Sequence, residues 1–213
     1  MTQRFTLTMR DEEILTALTL RVRFLSLAQI ARTWWSEASQ PEAAALARIK
    51  LLRRAGLLQP FHAMAHPELA LVAPIILWQP GEAVPNFGAA SYQLISRWTQ
   101  TVIATPSVIA TSGAGNRFGG SGGRFPRQSE HTHDLHMGAL FLQFRQRFPN
   151  LMPYWISEER LREEKSAGEK LPDALLRTPD SARVIEFGGA YRKEKLARFH
   201  EHCAGNLLPY ELW

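Results

Sequence analysis

Apolar residues recur at helical spacing through the first quarter of the chain, and three helices follow from them. Ile14, Leu15 and Leu18 share one face of a segment over residues 11–20. Leu27, Ile30 and Trp34 do the same in a second segment, which opens on Ser26 with Gln29 three residues later. A third segment opens on Ser39 with Glu42 and runs to Arg54, with Leu46, Ile49 and Leu52 as its stripe and Gly56 placed for a left-handed cap. A hydroxyl followed three residues on by Glu or Gln satisfies two orphan donors at a helix start, so both openings are expected N-terminal caps.

Beyond Gly56 the pattern shortens. Leu57 and Leu58 lead into a polar bend over 62–67, and the apolar runs 69–72 and 75–78 read as strands broken at Pro74. A loop over 81–88 precedes a helix over 89–99, expected to pack Tyr92, Leu94, Ile95 and Trp98 against the preceding domain. Three short helices followed by a strand pair is the order of a winged helix-turn-helix, in which the third helix enters the major groove of DNA.

The third helix has the faces for that. Ala43, Ala47, Lys50 and Arg54 lie away from its apolar stripe, so small residues permit close approach while long cations reach phosphates. Arg48, Lys50, Arg53 and Arg54 are therefore candidate DNA contacts. A plain amphipathic helix with a solvated face has the same pattern.

Residues 112–128 read SGAGNRFGGSGGRFPRQ, six glycines with Arg117, Arg124, Arg127 and two phenylalanines. Glycine at this density opposes regular structure and predicts an interdomain linker or loop over 107–130. The arginines and rings are also suited to grip nucleic acid. A phosphate loop is excluded because its Gly-Lys-Ser/Thr ending is missing. His131, His133 and His136 open a further helix carrying Leu140, Phe141, Phe144 and Phe148; their spacing does not put all three imidazoles on one face, which weakens a metal reading.

Composition narrows the class. The 213 residues are 45% hydrophobic, enough for a folded globular chain. The single cysteine, Cys203, permits neither an internal disulfide nor a zinc finger. No run of 18 apolar residues occurs and the start carries acids, so a cytoplasmic protein with no membrane partner is expected. The net charge is +5, and 20 of the 25 basic residues are Arg, which suits phosphate contact and also follows from a GC-rich genome. Residues 1–106 hold ten basic and seven acidic side chains and residues 107–150 five and two, whereas residues 151–213 hold ten and eleven.

That acidic remainder contains a distinctive pair. From Pro153 the pattern reads strand, charged excursion to Lys170, strand, turn at 178–181, strand and helix. A two-residue turn at Pro179 and Asp180 sets Asp173 directly opposite Glu186. Like charges in that position destabilise a sheet unless a cation or a neighbour relieves them. A divalent metal held by Asp173 and Glu186, with Glu158 as a third ligand, would relieve them and activate water. Neutralisation by Arg177 and Arg183 on an exposed face is the competing account.

Pro172-Asp173 followed by Val184-Ile185-Glu186 resembles the PD-(D/E)xK nuclease core. With Arg10-Asp11, Ile14-Leu15, residues 51–58, the Thr132-His133-Asp134-Leu135-His136 segment and Trp155 with Glu158, the whole order resembles the replication-relaxation family of plasmid and mobile-element proteins. The resemblance implies an α+β chain: a winged helix-turn-helix over 1–106, the linker over 107–130, and a small restriction-endonuclease-like mixed sheet domain over 131–213. It implies an accessory or regulatory protein of a mobile element that contacts double-stranded DNA, with a homodimer or other mobile-element proteins as partners. The alternative is a metal-dependent endonuclease using Mg2+ or Mn2+ at Glu158, Asp173 and Glu186. The family's lysine position is Gly188 here, so Lys193 or Lys195 would have to supply the catalytic cation. A nuclease-like domain retained for protein interaction is a third possibility, with the apolar tail 207–213 either docking a partner or packing on its own sheet.

Overall fold

A computed structural model describes residues 5–164 and 171–213. The chain is α+β with two sheets and divides into two compact units, residues 1–65 with 102–143 and residues 66–101 with 144–213. Each unit is assembled from two separate stretches of chain, so the expected sequential division at 106 and 130 is replaced by an interleaved one.

The first unit begins with α1 (Met9–Leu20), capped by Thr8. The Thr8 hydroxyl accepts from the Asp11 N–H at 3.3 Å, and the Asp11 carboxylate accepts from the Thr8 N–H at 2.7 Å. Strand β1 (Leu25–Ser26) leads into α2 (Leu27–Trp34), whose expected Ser26 and Gln29 box is formed. Helix α3 (Pro41–Arg54) departs from its expected start. Its N-cap is Gln40, without a side-chain cap, because proline at the first helical position already has no N–H to satisfy. Gly56, at φ +71°, ends it as expected.

The strand that follows, β2 (Leu58–Ala65), pairs antiparallel over eight positions with β4 (Ile103–Ala110), from Leu58 opposite Ala110 to Ala65 opposite Ile103. Strand β1 pairs with the other side of β4, which gives the order β1-β4-β2. The core gathers Ile14, Leu15, Phe24, Leu25, Ile30, Ile49 and Leu52, all buried. Each such aliphatic side chain contributes about 1.5–3 kcal/mol on burial. The strand pair after α3 is thus built from chain positions nearly forty residues apart. The expected partner, β3 (Ile76–Trp78), belongs to the second sheet, and residues 69–72 form no strand.

The glycine-rich segment is not a linker. Helix α5 (Ser112–Phe118) is capped by the Thr111 hydroxyl, and the chain beyond it is bonded back onto the first unit. The Ser121 N–H donates to the Thr19 carbonyl at 2.9 Å and the Gly123 N–H to Ala110 at 2.8 Å. A Cβ on Gly120 would lie 2.1 Å from the Thr19 oxygen, and one on Gly122 would lie 2.3 Å from the Thr111 oxygen. Glycine is needed here for close backbone packing rather than for mobility. Helix α6 (His131–Arg147) completes the first unit with residues up to 143.

The second unit contains a five-stranded mixed sheet of order β3-β8-β7-β6-β5, built from β3, β5 (Trp155–Ser157), β6 (Ala174–Arg177), β7 (Ala182–Glu186) and β8 (Tyr210–Leu212). All neighbours are antiparallel except β7 and β8, which are joined through α8 (Lys193–Gly205), as a parallel pair requires. Helices α4 (Phe87–Ser96) and α8 pack together on a core of Leu94, Val184, Leu196, Phe199, Tyr210 and Leu212. Helix α4 therefore serves this unit, not the first, and it exposes Tyr92 and Ile95, two of the side chains expected to pack. The apolar tail is a strand within the sheet, with Tyr210, Leu212 and Trp213 buried. Helix α7 (Glu158–Glu164) occupies the start of the charged excursion; residues 165–170 lie outside the described residues.

Candidate functional site

Two regions hold the candidate residues, one in each unit. On α3 the buried side is Ala45, Ile49 and Leu52, so Leu46 belongs to the outward surface instead of the core stripe. Ala43, Leu46, Ala47, Lys50, Leu51, Arg53 and Arg54 are all exposed. Arg48 is not part of that surface. Its Nε donates to Asp11 Oδ1 at 2.8 Å, a second nitrogen donates to Asp11 Oδ2, and the same nitrogen reaches the Thr6 carbonyl at 2.9 Å. Asp11 is completely buried. Burial pushes its carboxyl up, but the bonds from Arg48 and Thr8 outweigh that and bring it below the ordinary range. Arg48 is accordingly a structural cation that ties α3 to α1.

Arg117, Arg124 and Arg127 are exposed. Among the described residues Arg124 and Arg127 make no side-chain bond, and Arg117 only covers the ring of Phe118 at 5.7 Å. The three histidines diverge. His131 Nδ1 accepts from the Met64 N–H at 2.9 Å and its Nε2 lies 3.3 Å from the Pro126 carbonyl. His133 pairs with Asp134 at 3.1 Å, and His136 bonds the Thr132 carbonyl at 2.6 Å. His131 thereby fastens the end of the glycine-rich segment to the edge strand β2, which leaves one fewer open backbone donor there.

In the second unit the expected strand register is present. Ala174 stands opposite Ile185 and Arg177 opposite Ala182, so Asp173 and Glu186 face each other one step beyond the ladder. Each carboxylate accepts from the other strand's backbone: Asp173 Oδ2 from the Phe187 N–H at 2.8 Å, and Glu186 Oε2 from the Asp173 N–H at 3.4 Å. Glu186 Oε1 accepts from the Tyr191 hydroxyl at 3.2 Å. Burial and the nearby Glu186 and Asp173 charges push the Tyr191 phenol far above its ordinary value, so it remains a donor at any working pH. Lys195 Nζ sits 3.2 Å from the centre of the Tyr191 ring, a cation–π contact that brings it to the back of the phenol.

Arg177 and Arg183 do not neutralise the pair. They bond Glu164 at 2.9 Å and Glu211 at 2.8 Å respectively. Glu158 does not join it as a third ligand either. Its carboxylate pairs with Arg162 one turn along α7, and its backbone N–H donates to the Asp173 carbonyl at 3.1 Å. Among the described residues no three His, Cys, Asp or Glu side chains gather into a metal cluster, while Asp173 and Glu186 remain paired across the two strands. Lys193 is the first residue of α8 and is exposed.

The lysine position itself is closed. A Cβ on Gly188 would lie 2.9 Å from Leu94 Cδ2 and 3.1 Å from Leu212 Cδ1. Arg97, at the end of α4, donates to the Gly188 carbonyl and lies over the Phe187 ring at 4.5 Å. Burial pulls its guanidinium down to about 10. Neither Tyr191 nor Arg97 carries a signal in the sequence: Tyr191 precedes the charged residues 192–195 without a motif of its own, and Arg97 lies about ninety residues from Phe187 and Gly188. Compared with protein-family models, with curated proteins and with solved structures, the chain matches none.

Proposed function

We propose that this protein binds double-stranded DNA through its first unit, with α3 as the recognition helix of a winged helix-turn-helix. One observation carries the reading. The outward face of α3 combines Ala43 and Ala47, small enough for close approach, with exposed Lys50, Arg53 and Arg54, while the neighbouring Arg48 is withdrawn into a buried ion pair. Leu46 and Leu51 on the same surface have the character that contacts thymine methyl groups. The order of helices and the sheet β1-β4-β2 support the winged-helix assignment, with β2 and β4 as the wing strands and residues 66–101 inserted at the wing. The accessory or regulatory role on a plasmid or mobile element rests on the family resemblance.

Fluorescence anisotropy with a duplex of about 30 base pairs tests this across a salt series. Each phosphate contact adds about 0.9 to the log–log salt slope, so the double variant Lys50→Ala, Arg54→Ala loses about 1.8 of it and binds more weakly. Unchanged affinity and slope in that variant overturn the assignment of α3.

A metal-dependent nuclease is the second reading, favoured by the direct opposition of Asp173 and Glu186 and by Lys195 behind Tyr191. It expects DNA cutting in Mg2+ or Mn2+ that Asp173→Ala abolishes. No cutting by the native chain, or equal cutting by the variant, removes it.

A further inference from the structure

We infer that Arg117, Arg124 and Arg127 form a fixed basic arm that grips the phosphate backbone of duplex DNA beside the groove entered by α3; this rests on the proposed DNA-binding reading of the first unit. The arm is continuous with the end of that helix. The Thr111 N–H donates to the Leu57 carbonyl at 3.0 Å, and its hydroxyl donates to the Gly56 carbonyl at 2.6 Å. Helix α5, carrying Arg117, thus starts on the cap of α3, two residues past Arg53 and Arg54.

From there the segment runs beside strand β2. Gly122 and Gly123 are held against Ala110 and Thr111 at the base of the β2–β4 pair. Phe125 packs edge-on against Phe61 in the middle of β2, ring centres 5.5 Å apart. Pro126 and His131 then meet, and His131 bonds Met64 near the strand's far end. Every stretch between the arginines is anchored, yet the three guanidinium groups are exposed and, among the described residues, make no hydrogen bond or ion pair.

A charged tail on a mobile linker would lose its ordering entropy on binding. Arginines on a prefixed loop avoid that cost, and their planar donor forks match phosphate oxygens. The surrounding charge agrees. The first unit holds 12 basic and 7 acidic residues, and Arg117, Arg124 and Arg127 are the three basic residues of its second stretch, 102–143. Duplex backbone, a regular array of phosphates, is the ligand such a spread of separate cations fits.

The same anisotropy series on the full chain tests the arm with the triple variants R117A/R124A/R127A and R117K/R124K/R127K. The alanine variant is expected to lower the salt slope by about 2.7 and to weaken binding at least about tenfold in 0.1 M salt, whereas the lysine variant keeps the slope. Thermal unfolding of both should match the native chain. A native slope in the alanine variant overturns the arm. If that variant is native-like while Lys50→Ala, Arg54→Ala is impaired, the arm fails and the reading of α3 stands. If neither variant differs from native, both fail.

Discussion

The two units carry similar numbers of basic residues but set them against very different numbers of acids. The first holds 12 basic and 7 acidic side chains and the second 13 and 13, so the whole net charge of +5 belongs to the first. In the second unit four surface cations stand in ion pairs, Arg160 with Glu163, Arg162 with Glu158, Arg177 with Glu164 and Arg183 with Glu211, and the other cations are matched in number by acids. In the first, Lys50, Arg53, Arg54, Arg124 and Arg127 point to solvent with no described partner. Exposed ion pairs are each worth about 0–1 kcal/mol, so the pairing in the second unit does little for its stability. Equal numbers of cations and acids leave that unit without a net field of one sign, whereas the surplus of cations in the first creates one that attracts polyanions.

The sharpest test of this contrast lies inside α3. Arg48→Met strands a fully buried Asp11 carboxylate and is expected to lower the stability of the first unit by about 3 kcal/mol or more, read by chemical denaturation. Lys50→Ala, two residues away, should change stability by about 0.5 kcal/mol or less and weaken only the proposed DNA binding. Equal stability losses would erase the distinction between a structural and a solvent-facing cation.

Glycine offers the next largest effect, with one site in each unit. Gly122→Ala drives a Cβ against the Thr111 backbone, which cannot move without breaking the cap of α5. Gly188→Ala meets only the ends of Leu94 and Leu212, which can turn aside in part. Both overpack, at about 1–3 kcal/mol, with the first expected to cost more. A Gly188→Lys variant that folded with native stability would show that the lysine position is open after all.

The smallest effect is the difference in acid response. Burial holds His200 below its ordinary value of 6.5, so the unfolded second unit binds more protons between the folded value and 6.5. Its stability should therefore decline as pH falls below about 6.5. Asp11 is depressed in the folded state, so its contribution to the first unit is present above 3.8 and is lost only as pH falls through the lower folded value. Hydrogen exchange followed from pH 7 to 4 should show the second unit opening first. Coincident loss of protection in both units contradicts this.

Local signals in the chain were legible where they depend on neighbours. The box at Ser26 and Gln29, the cap at Gly56 and the register of β6 with β7 all involve residues within a few positions or across one tight turn. The box at Ser39 failed because Pro41 starts the helix by itself. The opposed Asp173 and Glu186 were found by counting from the turn, but what relieves them was not. Tyr191 and two backbone N–H groups donate to them, whereas Arg177 and Arg183 bond Glu164 and Glu211.

The amino-acid order by itself determined the first three helices, the caps at Ser26 and Gly56, the hairpin at 178–181 and the excess of cations, because each is a matter of short-range periodicity, turn chemistry or counting. Only the tertiary structure decided which strands share a sheet, which unit α4 serves, and which arginines remain available. Those depend on segments far apart in sequence: β2 finds β4 across thirty-seven intervening residues, Arg48 finds Asp11, and Gly188 is closed by Leu94. A side chain's charge is written in the sequence, but whether that charge is buried, paired or free depends on what the fold brings beside it.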